Sequence, residues 1–201
     1  MRAALICLLG GTLLGACTPE IVSGAYTCGP EEACPADQAC DGPTGICVTA
    51  SRAQPFTCGD VSELEPNNTQ ATAESVGTLN CASYVVEVFG CQAIENVADD
   101  WFSVAVPEVC GANERVELRL SYAISFGALA LELHDESGAT VGTAAPCSAP
   151  SDDDVSVALC LIAPVTPGKT YAARVSGAGL DDCAGACAYN RYRLTLQLAS
   201  S

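Results

Sequence analysis

Fourteen cysteines in a chain of 201 residues constrain this fold more than any other feature. No two of them have the C-x-x-C spacing that a structural zinc site favours. A dense set without that spacing reads as disulfide partners in an oxidising compartment. Charge narrows the function further. The chain carries 24 Asp and Glu against 8 Lys and Arg, a net charge of -16. Binding to nucleic acid needs clustered Lys and Arg, so that class is excluded. A single histidine, His134, leaves no His-rich metal set and little room for a Ser-His-Asp hydrolase. At 49% hydrophobic residues the chain is no disordered acidic tail.

Residues 1–16 read as an export signal. Arg2 precedes an apolar run over 3–15, which falls short of the roughly 20 residues a membrane-spanning helix needs. The run ends Leu14-Gly15-Ala16-Cys17, which resembles the lipobox of bacterial lipoproteins. That resemblance implies cleavage before Cys17 and a thioether-linked diacylglycerol on its thiol. Acyl chains contribute about 0.8 kcal/mol per buried CH₂, so such a terminus anchors a soluble domain to a membrane. Thr18 follows, where enteric lipoproteins would need Asp to stay at the inner membrane. The expected location is the outer membrane or cell surface. Cys7 then leaves with the signal and Cys17 takes lipid, so twelve cysteines remain, an even set.

Two modules follow a tether at 17–27. The first, at 28–47, holds Cys28, Cys34, Cys40 and Cys47. So short a segment cannot bury a core that offsets its chain entropy, and two disulfides at about 2–4 kcal/mol each supply the constraint. The interlaced pairing Cys28–Cys40 and Cys34–Cys47 is expected. The module resembles the small cysteine-rich repeats of myxobacterial lipoproteins, where a recognition knob and a stiff spacer are both plausible roles. A linker at 48–57 contains Pro55. From 58 to 201 the texture becomes period-two. ERVELRLSY (114–122) places Val116, Leu118, Leu120 and Tyr122 on one face, and RYRLTLQL (191–198) does the same with Tyr192, Leu194, Leu196 and Leu198. SYVVEVF (83–89), DWFSVAV (100–106), ALALELH (128–134), ATVGTA (139–144), DVSVALCLI (154–162) and TYAARVS (170–176) complete about eight strands, and DESG (135–138) supplies a hairpin turn. The pattern predicts an all-β fold, an antiparallel sandwich of jelly-roll type.

The same stretch resembles the bacterial pre-peptidase C-terminal domain. The motifs are ELEPNNTQATAESVG (63–77), ADDWFSVAV (98–106), LALELHDESGATV (129–141), PGKTYAARVSG (167–177) and NRYRLTLQL (190–198). That family is a β-sandwich that flanks secreted hydrolases, and some members bind collagen or polysaccharide. The collagen-binding relatives bind calcium through the E-x-E-P-N-N stretch and an Asp before the aromatic of D-x-D-Y-F. Carried over, the resemblance implies Glu63, Glu65, Asn67 and Asp100 as calcium ligands. An oxygen set of carboxylates and amides suits that ion. The earlier Asp of the motif is missing, since Val97 stands there with Asn96 and Asp99 as substitutes. The same residues also suit a turn leading into the first strand. Eight cysteines lie outside the simple family pattern. Sequence proximity pairs them as Cys58–Cys81, Cys91–Cys110, Cys147–Cys160 and Cys183–Cys187.

The remaining candidates read as structure. His134 at the DESG turn is expected to be solvated, since adjacent hairpin residues do not converge as a catalytic triad must. Asp152, Asp153 and Asp154, and Asp181 with Asp182, read as solvated acidic loops. Tyr84, Trp101, Tyr122, Phe126, Tyr189 and Tyr192 suit core packing better than a sugar-stacking platform. Trp101 and Phe102 are adjacent on one strand, so Phe102 should enter the core and Trp101 should face outward or lie under a loop. No nucleophile and base are paired, and no metal set is closed, so the expectation is a non-enzyme. A lipid-anchored binding or adhesion protein for polysaccharide or protein follows. An accessory to an exported hydrolase and a purely structural envelope component are the alternatives.

Overall fold

The computed structural model of the chain describes residues 22–29, 32–58, 61–81, 84–92, 99–111, 114–123, 126–148, 156–177 and 189–199. Cys17, Asn96, Val97, Asp152–Asp154, Asp181, Asp182, Cys183 and Cys187 lie outside these residues, and so do the expectations placed on them.

The first unit is a three-stranded sheet in the order β1-β3-β2, with β1 at Tyr26–Thr27, β2 at Gln38–Asp41 and β3 at Ile46–Thr49. It draws Tyr26 and Thr27 from the stretch read as a tether, and Val48 and Thr49 from the stretch read as a linker. Cys40 and Cys47 are register partners, and the disulfides Cys28–Cys40 and Cys34–Cys47 interlace across them, as the spacing suggests. The unit's core is largely these sulfurs, with Cys28 and Cys47 fully buried.

The rest is a sandwich of two five-stranded sheets. Its strands are β4 (Glu74–Thr78), β5 (Val86–Gln92), β6 (Asp100–Ala105), β7 (Arg115–Ala123), β8 (Leu129–His134), β9 (Thr140–Thr143), β10 (Ala145–Pro146), β11 (Ser156–Pro164), β12 (Thr170–Gly177) and β13 (Asn190–Ala199). One sheet runs β10-β11-β7-β13-β5 and the other β4-β6-β12-β8-β9. Period-two patterning decides the facing. Leu118, Leu120, Leu194, Leu196 and Leu198 turn inward from the first sheet, and Phe102, Val104, Leu131, Leu133 and Val175 from the second. Two strands, β4 and β10, are too short or too polar to show in the pattern. β4 also pairs parallel to β6, in an otherwise antiparallel sandwich. The DESG turn closes β8 to β9 as expected, with Gly138 at a positive φ of 86° and its N–H on the Asp135 carbonyl.

Two expected disulfides are corrected. Cys58 is bonded to Cys91, and Cys81 to Cys110. Sequence proximity fails here because strand pairing decides which loops meet. Ser62 and Glu63 run along β5, donating to the Phe89 carbonyl at 2.8 and 3.2 Å, and this carries Cys58 to Cys91. The parallel β4 ends where β6 ends, with Leu79 N–H on the Ala105 carbonyl at 2.9 Å. Cys81 therefore meets Cys110 in the turn beyond β6. Cys147–Cys160 forms as expected, because Cys147 extends the β10–β11 ladder.

The small unit packs on the sandwich. Phe56 lies between the rings of Phe126 and Tyr189, both at 4.8 Å between centroids. Arg191 stacks over Phe56 at 5.4 Å and donates to the Gly42 and Pro43 carbonyls at 3.2 and 3.3 Å. Tyr189 also donates to Glu32. The 48–57 segment is thus held at Gln54, bonded to Gly42 and Asp41, and at Phe56.

Candidate functional site

Three elements build a polar cluster inside the sandwich. The segment 62–67 is pinned by its main chain, to β5 at Ser62 and Glu63 and to β6 at Asn67, and the Glu63 side chain turns inward. Its Oε1 accepts the Cys91 N–H at 2.7 Å, and its Oε2 accepts from the Tyr192 hydroxyl at 3.0 Å. Asp100 opens β6 on the inward face, and its Oδ2 lies 2.5 Å from the same hydroxyl. Tyr192 comes from β13 in the opposite sheet, so the cluster ties the two sheets together. Gly90 makes room for it: a Cβ there would meet the Tyr192 ring and the Glu63 carboxylate. Asn67 docks through its carbonyl, which accepts the Trp101 N–H at 2.9 Å. Glu65 stays exposed and accepts the Asn67 N–H at 3.0 Å.

The electrostatics of this cluster are incomplete. Glu63 is 9% exposed and Asp100 2%. Burial pushes the Glu63 carboxyl up to about 7, against the lowering effect of its Cys91 and Tyr192 bonds. Burial, and then the neighbouring Glu63 charge, pushes Asp100 up to about 8. Burial and both carboxylates hold the Tyr192 phenol well above its ordinary value. Tyr192 has one proton and two carboxyl neighbours, so it can donate to only one of them. The other contact needs a proton on the carboxyl or a cation nearby. Among the described residues, no Lys or Arg pairs with Glu63 or Asp100. Arg174 is engaged on the outer face, where it grips Asp99 at 2.8 Å and Glu132 at 3.0 Å. Asn67 sharpens the imbalance. Its side chain is 0% exposed, and neither its Oδ1 nor its Nδ2 has a hydrogen-bond partner. An orphaned buried amide costs about 1–3 kcal/mol.

Of the expected ligand set, the structure joins Glu63 and Asp100 through the Tyr192 hydroxyl, buries Asn67 with its main chain on Trp101 next to Asp100, and leaves Glu65 exposed. A hard cation fits these donors: two buried carboxylates and an amide oxygen that nothing else uses. Of the substitutes for the missing motif Asp, Asp99 is committed to Arg174 and faces away from the cluster. Tyr192 and Gly90 escape sequence reasoning. Tyr192 sits in a regular period-two strand, where it is indistinguishable from a core residue, and nothing in the sequence says that Gly90 faces it.

The outer face overturns one expectation. His134 is 7% exposed rather than solvated. Its ring packs on Trp101 at 4.9 Å, and its Nε2 lies 3.1 Å from Glu132 and its Nδ1 3.2 Å from the Gly138 carbonyl. Its side chain faces outward from β8, and Trp101 and the hairpin turn cover it. Phe102 is fully buried and Trp101 half-buried, in the alternation expected. Of the other aromatics, Tyr122, Phe126 and Tyr192 are buried and Tyr84 is exposed.

Protein-family models and curated proteins give no match to this sequence. Solved structures are similar to it, including the following two. One is the pre-peptidase C-terminal domain of a collagenase from Bacillus anthracis, at 12% identity, covering 63% of this chain and 94% of that one with a TM-score of 0.36. The other is PliG from Aeromonas hydrophila, a periplasmic inhibitor of g-type lysozyme, at 9% identity, covering 63% and 97% with a TM-score of 0.38. Likenesses this distant carry no functional conclusion, which rests instead on the residues of this chain.

Proposed function

We propose that this chain is an exported envelope protein, anchored through lipid on Cys17, whose sandwich is a non-catalytic binding domain dependent on calcium. The observation that carries the calcium reading is the set of buried oxygens at Glu63, Asp100 and Asn67 without a compensating charge. Calcium bound there would neutralise the carboxylates and hold the 62–67 segment against β5 and β6. Glu65 would complete the set from the rim. The five disulfides among the described residues support export to an oxidising compartment. A leader followed by Leu14-Gly15-Ala16-Cys17 supports the anchor. The ligand class on this reading is polysaccharide or protein at the cell surface.

Two experiments test it. Calorimetry of the oxidised chain with calcium should show one site that is lost in Asp100→Asn. Co-sedimentation with peptidoglycan, cellulose, chitin and collagen, with calcium or chelator, should show calcium-dependent retention on one polymer. Retention on none would move the reading to an accessory of an exported hydrolase or a structural component. Mass spectrometry of the membrane-extracted protein should find a diacylglyceryl group on Cys17, and Cys17→Ala should release the protein from membranes.

A further inference from the structure

The cation cluster has one wall built into a sheet and one strapped onto it. Asp100 lies in β6, with β4 on one side and β12 on the other. Glu63 lies outside every strand, on a segment held along β5, the last strand of its sheet. Two-residue alternation puts Val88 and Gly90 of β5 on the core side and Phe89 and Cys91 on the outer face. Cys91 is bonded there to Cys58. Five residues after Cys58, Glu63 has its carboxylate on the core side, against Tyr192. Cys58 and Glu63 therefore sit on opposite faces of β5, with the strand edge between them.

Hydrogen bonds seat the segment beyond Cys58. Ser62 and Glu63 donate to the Phe89 carbonyl, and the Ser62 hydroxyl accepts the Phe89 N–H at 2.8 Å. The Leu64 N–H reaches the Glu74 carboxylate at 2.9 Å, and the Asn67 carbonyl accepts the Trp101 N–H. The Ser62 and Leu64 bonds are exposed, where water competes and each contributes modestly. Against them acts the repulsion of two carboxylates that share the Tyr192 hydroxyl, at 3.0 and 2.5 Å. Asp100 cannot yield without breaking the β6 ladder to β12, where Val175 is its register partner. Glu63 can, by giving up its bonds at Phe89 and Cys91 and carrying its carboxylate out to water. The disulfide blocks that exit, because Cys58 cannot part from Cys91.

We propose that the Cys58–Cys91 disulfide is a redox latch on the cation site: it holds Glu63 beside Asp100, and its reduction frees the 62–67 segment and weakens calcium binding. This rests on the calcium reading and adds its regulation. Cys58 is half-buried and Cys91 is 6% exposed, so Cys58 Sγ is the accessible sulfur. A dithiol reductant attacks it as a thiolate. The Cys58–Cys91 bond breaks, and its electron pair leaves on Cys91 Sγ, which takes a proton. The second thiol of the reductant then displaces the Cys58 thiolate, which takes the other proton. Both cysteines end as thiols and the reductant as a disulfide. The site is then complete only in a compartment oxidising enough to keep the bond, which ties cation loading to export.

The test compares two double variants of the oxidised chain, Cys58→Ala with Cys91→Ala, and Cys147→Ala with Cys160→Ala. The second pair lies at the opposite edge of the same sheet and serves as the control. Calorimetry should show calcium affinity lowered about tenfold in the first variant, by the smaller fraction of chains with the segment seated, and unchanged in the second. Amide hydrogen exchange gives a readout without calcium. The Phe89 and Cys91 N–H groups, which the segment covers, should exchange about tenfold faster in the first variant only, while Leu120 and Leu194 amides in the central strands stay protected. The wild-type chain supplies a reciprocal measurement that needs no variant to fold. By linkage, calcium should raise the dithiol concentration that half-reduces Cys58–Cys91 about tenfold and leave Cys147–Cys160 unaffected, read by alkylation and peptide mapping. Equal effects of the two double variants, or calcium binding unaltered in the first, would overturn the latch. A wild-type chain that binds no calcium would instead overturn the cation reading. In that case unchanged Phe89 and Cys91 exchange in the first variant would overturn the latch as well, and faster exchange would keep it as the device that seats Glu63.

Discussion

The buried carboxylates predict an unusual coupling of stability to pH and calcium. Glu63 and Asp100 have carboxyls raised in the folded chain to about 7 and about 8. In the unfolded chain both return to the ordinary carboxylate range near 4. Between these limits the folded state binds more protons than the unfolded state. Stability therefore falls as pH rises from about 4 to about 8. Each pKa unit corresponds to about 1.4 kcal/mol, so the metal-free chain should lose on the order of several kcal/mol across that window. Calcium substitutes for the protons. At a concentration about a hundred times Kd it contributes about 2.7 kcal/mol, which for a domain this size raises Tm by about 5–10 °C. The effect should be large near pH 8 and small near pH 5, where protons already neutralise the pair. Circular dichroism melts of the metal-free oxidised chain at both pH values, with and without millimolar calcium, measure it. General charge repulsion also relaxes in acid, so Asp100→Asn is the control. It should flatten the pH dependence of the metal-free chain and abolish the calcium shift. A wild-type Tm insensitive to calcium near pH 8, or an Asp100→Asn protein that retains the full shift, would refute the reasoning.

Other outcomes follow from the same geometry. Tyr192→Phe removes the only hydroxyl shared by the two carboxyls and should cost the metal-free chain about 1–3 kcal/mol in urea denaturation, while the calcium shift persists because the phenol is no ligand. Phe102→Ala empties a fully buried position and should cost about 3–5 kcal/mol by the same measurement, whereas Trp101→Ala on the half-buried outer face should cost less. Non-reducing peptide mapping should recover Cys58 linked to Cys91 and Cys81 linked to Cys110, and a Cys58–Cys81 peptide would contradict the described strand pairing.

The residues proposed as metal ligands and their surroundings differed in how readable they were. Glu63, Glu65, Asn67 and Asp100 were named only through the resemblance of the ELEPNN and DDWF stretches to a family motif. Their electrostatic condition was not legible, because it depends on burial and on Tyr192, which arrives from the far sheet 92 residues after Asp100. His134 shows the converse error. Its position beside a turn suggested solvent, but Trp101, on β6 with β12 between it and β8, covers it.

Composition and period-two patterning alone determined that this is a disulfide-stabilised, all-β, acidic chain with two units, and which face of each long strand enters the core. Those properties are local: alternation assigns a side chain to a face whatever strand lies next to it. The interlaced disulfides of the small unit were also readable, because four cysteines in a short loop have few ways to pair. What tertiary structure decided is every property that depends on which strands are neighbours. The parallel pairing of β4 with β6 redirected Cys81 to Cys110, and the path of 62–63 along β5 redirected Cys58 to Cys91. The same path turned Glu63 inward beside Asp100. Neighbour relations come from the packing of the whole chain, so no window of sequence carries them.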